Sequence, residues 1–501
     1  MPNPLYDALF APLAVRNSPL LLLQDGSEIT GQAFHIQIAR TAHALRRLGV
    51  QPGDRIAVQI AKSPEALAVY AAAVSIGAVF LPLNTAYTAA ELDYFIGNAT
   101  PHVFLCDPTK AESLRSIAKT HAAQLLTLGA KGDGSLPDLA ANQPSSFTPT
   151  DCTVEDLAAI LYTSGTTGRS KGAMLTHRNL ISNAETLVQL WRFTAADTLL
   201  HALPIFHTHG LFVASNVSLL SGAKMIFLPG FDAETTLRLL PKATAMMGVP
   251  TFYTRLLDTP GLPEASKHMR LFISGSAPLL TETHIEFEAQ TGHRILERYG
   301  MTETNMNTSN PYDGDRRAGT VGLPLPDVEL RLTANGAEVV KGAVGMIEVR
   351  GSNVFAGYWQ MPEKTAEELT PDGWFLTGDL ATQDADGYIT IVGRAKDLII
   401  TGGYNVYPKE LELLLDEVPG VLESAVIGVP HPDFGEAVFA VLCPRKGITL
   451  DPKAVLSMIA GNLGRFKQPK AAVVVADLPR NTMGKVQKNL LRAEYAGWFK
   501  A

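Results

Sequence analysis

The sequence predicts an α/β protein with a large N-terminal domain of stacked α/β sheets, a β-barrel-like subdomain and a small C-terminal α+β domain. Three observations lead to this prediction. Apolar strands alternate with helical patterns over the first two thirds of the chain, which is typical of largely parallel sheets. Beyond about Thr320, turn dipeptides separate short strands such as MIEVR, and beyond 393–397 (GRAKD) a new α/β pattern begins. The 501 residues also exceed what one hydrophobic core usually holds.

The N-terminal elements follow from the hydrophobic pattern. We expect an amphipathic helix over 33–48 and a buried strand over 55–60. The uncharged segment 66–83 is nearly long enough to span a bilayer. Because Gly77 and Pro82 interrupt it, we expect a buried helix followed by a short strand, not a membrane helix. Further strands are expected at 158–162, 225–229, 243–249, 270–275 and 293–297, with a helix over 181–193.

Composition narrows the classes of function. The net charge is −7 and there is no dense basic run, which argues against a general nucleic-acid binder. Cys106, Cys152 and Cys443 show no metal or redox spacing, and the N-terminus lacks the basic region of an export signal. We therefore expect a cytoplasmic protein without disulfides.

A loop rich in glycine, serine and threonine follows the strand at 158–162. In the stretch 161–174, LYTSGTTGRSKGAM, backbone N–H groups, hydroxyls and Lys171 could surround a polyphosphate. The stretch does not fit the Walker pattern, because Ser170 precedes the lysine and Gly172 follows it. A flexible surface turn is the alternative interpretation.

Three later motifs carry residues suited to nucleotide chemistry. In RYGMTETN (298–305) the ring of Tyr299 could stack on a base, and Glu303 could hold Mg²⁺. In WFLTGDL, Asp379 could accept hydrogen bonds from a ribose. In LPRNTMGKVQKN, Lys485 follows a glycine. The alternative interpretations are core packing for Tyr299, a solvated carboxylate for Glu303 and a turn cap for Asp379.

Taken together, these blocks resemble the adenylate-forming family, which contains acyl-CoA synthetases, adenylation domains of peptide synthetases and luciferases. The resemblance covers nearly the whole chain and rests on TSGTTGRSKG, YGMTE, TGD, GRAKDLI and the final PR…GK, in that order. It implies that a carboxylate attacks the α-phosphate of ATP, that pyrophosphate leaves, and that the thiol of coenzyme A then takes the acyl group.

The resemblance also implies a role for individual residues. The phosphates would be held by Thr163, Ser164, Gly165, Thr166, Thr167 and Lys171, with Mg²⁺ on Thr166 and Glu303. The adenine would lie between Tyr299 and Ser274, Gly275, Ser276, Ala277 and Pro278; Thr302 would contact the α-phosphate, and Asp379 and Arg394 the ribose.

In this family the C-terminal domain carries the catalytic lysine and rotates between the two half-reactions. The resemblance implies an N-terminal domain over 1–393, a C-terminal domain over 394–501 and a hinge near Lys396. Lys485 would bridge the attacking carboxylate and the α-phosphate, with Lys488 as the weaker alternative. Gly402 and Gly403 would let the pantetheine arm of coenzyme A pass close to the backbone.

A narrower resemblance concerns the acid. The segments ERYGMTETNMNTS, SGSAPL and LPIFHTHGL resemble those of malonyl-CoA synthetases within this family, which implies malonate or methylmalonate as substrate. Arg298 and Arg255 could pair with the second carboxylate of such an acid. Solvent or protein carboxylates around both arginines are the alternative. The remaining expected contacts are Ser276, His207, Thr208 and Met306, with His209 beside His207 at the pocket mouth.

Two other functions stay open at this point: a CoA ligase for a short monocarboxylic acid, and an adenylate-binding protein without catalysis. Retention of Lys171, Glu303, Asp379 and Lys485 together argues against the second. The sequence leaves open the oligomeric state and whether a lysine-modifying regulator acts on a residue such as Lys485.

Overall fold

The computed structural model describes residues 2–163, 170–481 and 484–499. The chain forms two compact units: Met1–Glu329 with Val349–Phe375, and Leu330–Glu348 with Leu376–Ala501. The predicted α/β class, with a large and a small part, is confirmed. The boundary at 393/394 and the hinge near Lys396 stay predictions.

The helices are numbered in chain order. They are α1 Pro4–Leu9, α2 Gly31–Arg47, α3 Pro64–Ser75, α4 Ala89–Ala99, α5 Ala111–Thr120, α6 Ser135–Ala140, α7 His177–Leu190, α8 Asn216–Ser221, α9 Ala233–Leu239, α10 Pro250–Leu257, α11 Leu262–Ala265, α12 Thr281–Thr291, α13 Pro362–Glu368, α14 Pro408–Asp416, α15 Pro452–Ala460 and α16 Lys488–Tyr495. Short 3-10 helices cover Ala11–Val15, Pro108–Lys110, Leu240–Lys242 and Ala395–Asp397, and a π-helix covers His209–Ser215.

The strands follow in the same order. They are β1 Pro19–Leu22, β2 Glu28–Thr30, β3 Arg55–Gln59, β4 Val79–Pro82, β5 Val103–Cys106, β6 Gln124–Thr127, β7 Leu157–Thr163, β8 Lys171–Thr176, β9 Thr198–His201, β10 Lys224–Phe227, β11 Ala245–Gly248, β12 Leu271–Ser274, β13 Leu296–Met301, β14 Asn305–Ser309, β15 Leu323–Pro324, β16 Val328–Ala334, β17 Ala337–Glu338, β18 Gly345–Gly351, β19 Phe375–Gln383, β20 Ile389–Arg394, β21 Ile399–Thr401, β22 Tyr404–Val406, β23 Val421–His431, β24 Gly435–Pro444 and β25 Ala471–Val474.

Two largely parallel sheets build the first unit. One has the order β6-β5-β3-β4-β7-β8, and the other has the order β15-β14-β13-β12-β11-β9-β10-β1-β2. In the second sheet β9, β11, β12 and β13 run parallel, so their carboxyl ends lie at one edge. The loops that carry the expected acid and adenine contacts follow β9, β12 and β13. Ligands of open α/β sheets bind at this edge.

The second unit contains an antiparallel sheet of order β22-β21-β24-β23, with β25 added parallel to β24. The sheet of order β17-β16-β18-β19-β20 contributes residues 330–348 and 376–394 to this unit. Helices α14 and α15 pack their apolar side chains, Leu411, Leu415 and Val455, into one core with Val426 and Val438. This arrangement accounts for the α+β pattern seen near the C-terminus.

Two stretches differ from the expectation. The first is β8, which pairs antiparallel with β7 and has Thr163 opposite Lys171. We expected the phosphate loop to lead towards a helix, but it connects two strands of a hairpin, and α7 starts only after Thr176 caps it through the Asn179 N–H. The second is the strand expected at 293–297, which starts at Leu296 and continues through Met301.

The segment 66–83 folds as expected, into the buried helix α3 and the strand β4, separated by Gly77 with φ 68°. Among the residues that the structure describes, no helix combines the length and the apolar character needed to cross a membrane. All three cysteines are buried and free. The predicted lack of disulfides is therefore confirmed.

Candidate active site

The ends of the phosphate loop meet a buried carboxylate. Ser164, Gly165, Thr166 and Thr167 lie outside the described residues, whereas Thr163 and Lys171 lie opposite each other at the end of the β7–β8 hairpin. The Thr163 hydroxyl is 3.4 Å from Oε1 of Glu303, which lies in the turn between β13 and β14. The structure thus brings together one end of the loop and the expected metal ligand.

Lys171 is held by two residues that the sequence analysis missed. Its ammonium group donates to both oxygens of Glu368 at 3.0 Å and lies 4.1 Å from the ring centroid of Tyr358. Both charged side chains are largely buried. Burial alone would raise the pKa of Glu368, but hydrogen bonds from Tyr358, Lys364 and Lys171 lower it below its ordinary value. Glu368 is therefore a stable carboxylate partner for this lysine.

Tyr358 connects the lysine pair to the metal-ligand candidate. Its hydroxyl is 2.6 Å from Oε2 of Glu368 and 3.1 Å from Oε1 of Glu303. Burial, followed by the charges of these two carboxylates, raises the pKa of Tyr358. The phenol stays protonated and can donate to only one carboxylate at a time. The buried carboxylate of Glu303 offers the hard oxygen ligand that Mg²⁺ prefers, so this residue fits the ion.

Sequence analysis gave no signal for Tyr358 and Glu368. Both belong to the segment GYWQMPEKTAEEL, which has no phosphate-binding pattern, and Glu368 is 197 positions from its partner Lys171. Only the tertiary fold places them beside the loop. Co-variation of Glu368 with Lys171 among related sequences would have been a signal for this contact.

Arg298 is buried in β13, and the described residues place no counter-ion beside it. The residue is 4% exposed, and within the described part of the chain its Nε and Nη2 atoms have no hydrogen-bond partner. A Cβ added to Gly275 would lie 2.3 Å from the guanidinium carbon, so the glycine leaves the space that the side chain fills. Burial lowers the pKa of Arg298 to about 9, and only Tyr253 opposes this shift. Such a cation with unused donors is suited to an anionic ligand.

His209 faces the same region. Its Nδ1 atom is 3.1 Å from the hydroxyl of Ser276, and its buried Nε2 atom has no partner among the described residues. Burial, then the charge of Arg298, lowers the pKa of His209 well below its ordinary value, so the ring is neutral. His207, the expected contact, is partly exposed, and its Nδ1 atom accepts from the His209 N–H at 3.5 Å.

Other expected contacts also present buried polar atoms or packed surfaces. The hydroxyls of Thr208 and Ser274 are buried without a partner in the described residues, and Met306 is buried beside Gly300. Tyr299 lies buried in β13, and Thr302 is half-buried in the turn that follows. The segment Ser274–Pro278 forms the loop after β12, where Ser276 has the left-handed φ of 73°. Ala277 is half-buried and Pro278 is exposed in this loop.

Arg255 does not occupy a buried pocket. It lies in the last turn of α10, and its side chain is exposed, whereas Tyr253 and Leu256 on the other face are buried. The expectation of a buried arginine pairing with the acid is therefore wrong for this residue. The helical period turns it away from the core, while the pleat of β13 turns Arg298 inward.

The expected ribose contacts lie in the second unit and form an ion pair. Asp379 on β19 is opposite Arg394 on β20, and Nε of the arginine is 2.7 Å from Oδ1 of the aspartate. The aspartate is 4% exposed. Its backbone N–H donates to the Thr377 hydroxyl at 3.1 Å. The pair holds a carboxylate in fixed orientation, as ribose recognition requires.

Lys485 lies at the end of a short loop in the same unit. Asn481 fixes the loop, because its side chain accepts from the Lys485 N–H at 3.0 Å, and Gly484 has φ 75°. Packing around the ammonium group, followed by the charge of Arg394 and then of Lys396, lowers the pKa of Lys485 to about 8, although much of the side chain remains exposed. The ammonium group therefore lies near the Asp379–Arg394 pair.

Two further residues of this unit were expected to take part. Lys488, the alternative catalytic lysine, pairs with buried Glu412 at 2.5 Å, so its ammonium group is already used. Lys396 is exposed in the 3-10 helix Ala395–Asp397. The pairing of Lys488 favours Lys485 as the reactive cation.

The glycines expected near pantetheine form a tight turn. Thr401 pairs with Tyr404 across the β21–β22 hairpin, and Gly402 and Gly403 have φ values of 56° and 84°. Positive φ at both central residues is the type I′ geometry, which strongly favours glycine at these positions. The turn is therefore narrow and free of side chains.

Comparison with known proteins gives consistent matches over the whole chain. A family model described as AMP-binding enzyme matches residues 13–359, and one described as AMP-binding enzyme C-terminal domain matches residues 410–485. Malonate–CoA ligase of Arabidopsis thaliana is 35% identical over 478 residues, covering 89% of this chain and 78% of that protein. Sulfoacetate–CoA ligase of Cupriavidus necator is 34% identical over 494 residues, covering 96% and 97%. The crystal structure of ATP-bound MatB from Rhodopseudomonas palustris is 56% identical, with a TM-score of 0.98 over 100% of both chains.

The Glu368→Gln substitution tests the ion pair of Lys171. We expect it to raise the KM for ATP about fivefold in acid-dependent ATP–pyrophosphate exchange, because the ammonium group loses its fixed position. The KM for the acid should change less than twofold. Glu367→Gln is the matched control, since Glu367 pairs with Lys364 and its side chain is 65% exposed. A lower KM for ATP would instead mean that Glu368 competes with the phosphates.

The pH dependence of exchange tests Lys485. Its protonated form is the useful cation, so kcat/KM should fall as the pH rises through about 8. Lys485→Arg should remove this basic limb, and Lys485→Ala should lower the rate about 10²–10³-fold. The control is Lys488→Met, which should reduce thermal stability by leaving Glu412 unpaired and keep the limb in place. If Lys485→Arg leaves the basic limb of the pH profile unchanged, the limb belongs to another titrating group.

Proposed function

Because the chain belongs to the AMP-binding enzyme family, we propose that it is an AMP-forming malonate–CoA ligase. It converts malonate, ATP and coenzyme A to malonyl-CoA, AMP and pyrophosphate. A malonate oxygen forms a bond to the α-phosphorus as the bond to pyrophosphate breaks. The thiol of coenzyme A then replaces AMP at the acyl carbon and loses its proton. Methylmalonate is a second substrate of the same site.

The observation that carries the choice of acid is the buried, unpaired guanidinium of Arg298. Burying a charge without a partner costs several kcal/mol, and a protein with an apolar acid as substrate would gain nothing from it. A second carboxylate on the acid supplies the missing partner through the free Nε and Nη2 donors. The hydroxyl of Ser276 and the neutral ring of His209 supply uncharged hydrogen bonds nearby.

Two of the relatives fit an acid with two anionic groups. Malonate–CoA ligase and sulfoacetate–CoA ligase, by their names, act on acids that carry a second anion next to the carboxylate. A guanidinium binds a carboxylate and a sulfonate by the same two-point geometry, so sulfoacetate belongs in any substrate panel. A CoA ligase for a short monocarboxylic acid is the alternative. It would leave Arg298 without a role.

Each group of residues has a distinct role in this reaction. Lys171 and the phosphate loop hold the pyrophosphate end of ATP, so attack falls on the α-phosphate. Glu303 would hold Mg²⁺, which would neutralise charge on the phosphates when bound. Lys485 offsets the negative charge that accumulates as the carboxylate and the α-phosphate approach. Asp379 orients the ribose, and Arg394 keeps its carboxylate in place.

Two weaker proposals follow from the same residues. The buried free cysteines support a reducing, cytoplasmic location. A lysine-modifying regulator that acylates Lys485 would remove the cation and stop adenylation, and exchange measured before and after deacylation would test this.

The substitution Arg298→Met tests the choice of acid. Malonate-dependent exchange should fall at least about a hundredfold in kcat/KM, because a charged, buried contact to the second carboxylate is lost. The melting temperature should stay the same or rise, since methionine fills similar space without an unpaired charge. Exchange with acetate should fall far less than exchange with malonate.

Arg255→Met is the matched control, because this arginine is exposed, and it should leave both rates unchanged. The wild-type panel contains acetate, malonate, methylmalonate, succinate and sulfoacetate. Equal wild-type rates with acetate and malonate would refute the proposed function. Formation of ADP instead of AMP would refute every mechanism in which the acid attacks the α-phosphate.

A further inference from the structure

A lysine ammonium group is buried between the two sheets of the first unit. Lys62 follows β3 of one sheet, and the residue is 9% exposed. Its Nζ donates to Nδ1 of His201 at 2.9 Å and to the backbone oxygen of His201 at 2.7 Å. It also lies 4.2 Å from the ring centroid of Phe227. Within the described residues no carboxylate forms an ion pair with it. The two hydrogen bonds to His201 are its polar contacts there.

Packing alone does not explain this residue. Burial lowers the pKa of Lys62 well below its ordinary value, and an apolar side chain of similar length would fill the space without that cost. Both hydrogen bonds need only N–H donors, which a charged or a neutral amine provides equally. Among the described residues, the bonds to His201 are the polar contacts that distinguish a lysine from an apolar side chain here.

Two contacts together fix which nitrogen of His201 carries the proton: the Gly210 carbonyl at Nε2 and the Lys62 amine at Nδ1. Nε2 of His201 is 2.9 Å from the carbonyl oxygen of Gly210 and 3.1 Å from the hydroxyl of Ser215. A carbonyl can only accept, so Nε2 must carry hydrogen. Nδ1 is then the acceptor, and it accepts the hydrogen bond from the Lys62 amine. Burial, followed by the Lys62 charge, lowers the pKa of His201 well below its ordinary value, which keeps the ring neutral.

The Gly210 carbonyl belongs to the first turn of the π-helix His209–Ser215. The Ser215 hydroxyl also donates to it, at 2.9 Å. The turn is pressed closely against the preceding chain, since a Cβ on Gly210 would lie 2.0 Å from the oxygen of Pro204. π-helical turns are rare and occur frequently at functional sites. This turn presents His209, whose Nδ1 atom contacts Ser276.

We propose that Lys62 is a positioning residue for the acid substrate. It holds His201 in the Nε2–H tautomer, His201 holds the Gly210 carbonyl, and the π-helix thereby holds His209 and Thr208 in place for the acid. The effect of Lys62 is confined to acid binding and does not extend to ATP. This inference rests on the proposed function in placing the acid beside His209.

The experiment compares Lys62→Met, His201→Leu, His201→Gln and the double variant Lys62→Met/His201→Gln in acid-dependent ATP–pyrophosphate exchange. Lys62→Met and His201→Leu should raise the KM for malonate about tenfold, the worth of one hydrogen bond, with the KM for ATP within twofold. Glutamine can donate to the Gly210 carbonyl from the Nε2 position and has no tautomer to fix. His201→Gln should therefore stay within about threefold of wild type, and adding Lys62→Met to it should change nothing further.

Lys110→Met is the matched control, because Lys110 donates to the Thr85 carbonyl at 2.8 Å and has no link to the π-helix. Melting temperatures show which variants are folded. If Lys62→Met is unstable, the comparison of His201→Leu with His201→Gln, neither of which changes Lys62, still tests the link from His201 to the π-helix. The proposal is overturned if Lys62→Met raises the KM for ATP as much as that for malonate. It is also overturned if the two substitutions at positions 62 and 201 add independently.

Wild-type exchange with malonate reports separately on the proposed function. If another acid replaces malonate in the wild type, the proposed function fails. The ratio of variant to wild-type KM, measured with the accepted acid, still decides the role of Lys62.

Discussion

The cost of burying a positive charge without a counter-ion governs the acid site. Arg298 is enclosed by Gly275 on one side and by β13 and its neighbours on the others, with two donor atoms unused in the described structure. The described residues do not compensate this charge, so binding of an anion there would offset the cost of burying it. Burial, followed by the same charge, lowers the pKa of His209 and keeps its ring neutral. The uncompensated charge lowers the stability of the fold locally and favours affinity for an anion, a combination that is common at functional sites.

The phosphate loop has the opposite requirement, because its expected ligand is negatively charged. A loop that ends at a helix N-terminus has the helix dipole to help it, but here the loop ends at β8. The positive charge must then come from side chains, and Lys171 is the one that the structure describes. Its position depends on Glu368 and on the ring and hydroxyl of Tyr358, which also reaches Glu303. One hydrogen-bonded network thus joins the loop cation and the expected metal ligand.

Much of the fold could be predicted because its signals are local. The period of the hydrophobic residues predicted α2, α3 and β3, and the glycine at position 77 separated helix from strand. β8 could not be predicted, because its six residues are stabilised mainly by pairing with β7. Arg255 and Arg298 were both candidates in sequence, and the helix face of one and the inward pleat of the other separated them in the structure. Lys62, Tyr358 and Glu368 act through partners more than a hundred positions away or on other elements, so no local pattern marks them.

The contact between Gly275 and Arg298 also constrains the order in which this site can evolve. A methyl group at position 275 would lie 2.3 Å from the guanidinium carbon, so a larger residue there requires the arginine side chain to move out of the space that it fills. Once position 298 holds a small residue, the same change at 275 meets no such contact and fills the vacated space. A lineage that moves towards acids with one carboxylate therefore meets less steric conflict if it loses the arginine first. After both substitutions, the side chain at position 275 in turn hinders the return of the arginine.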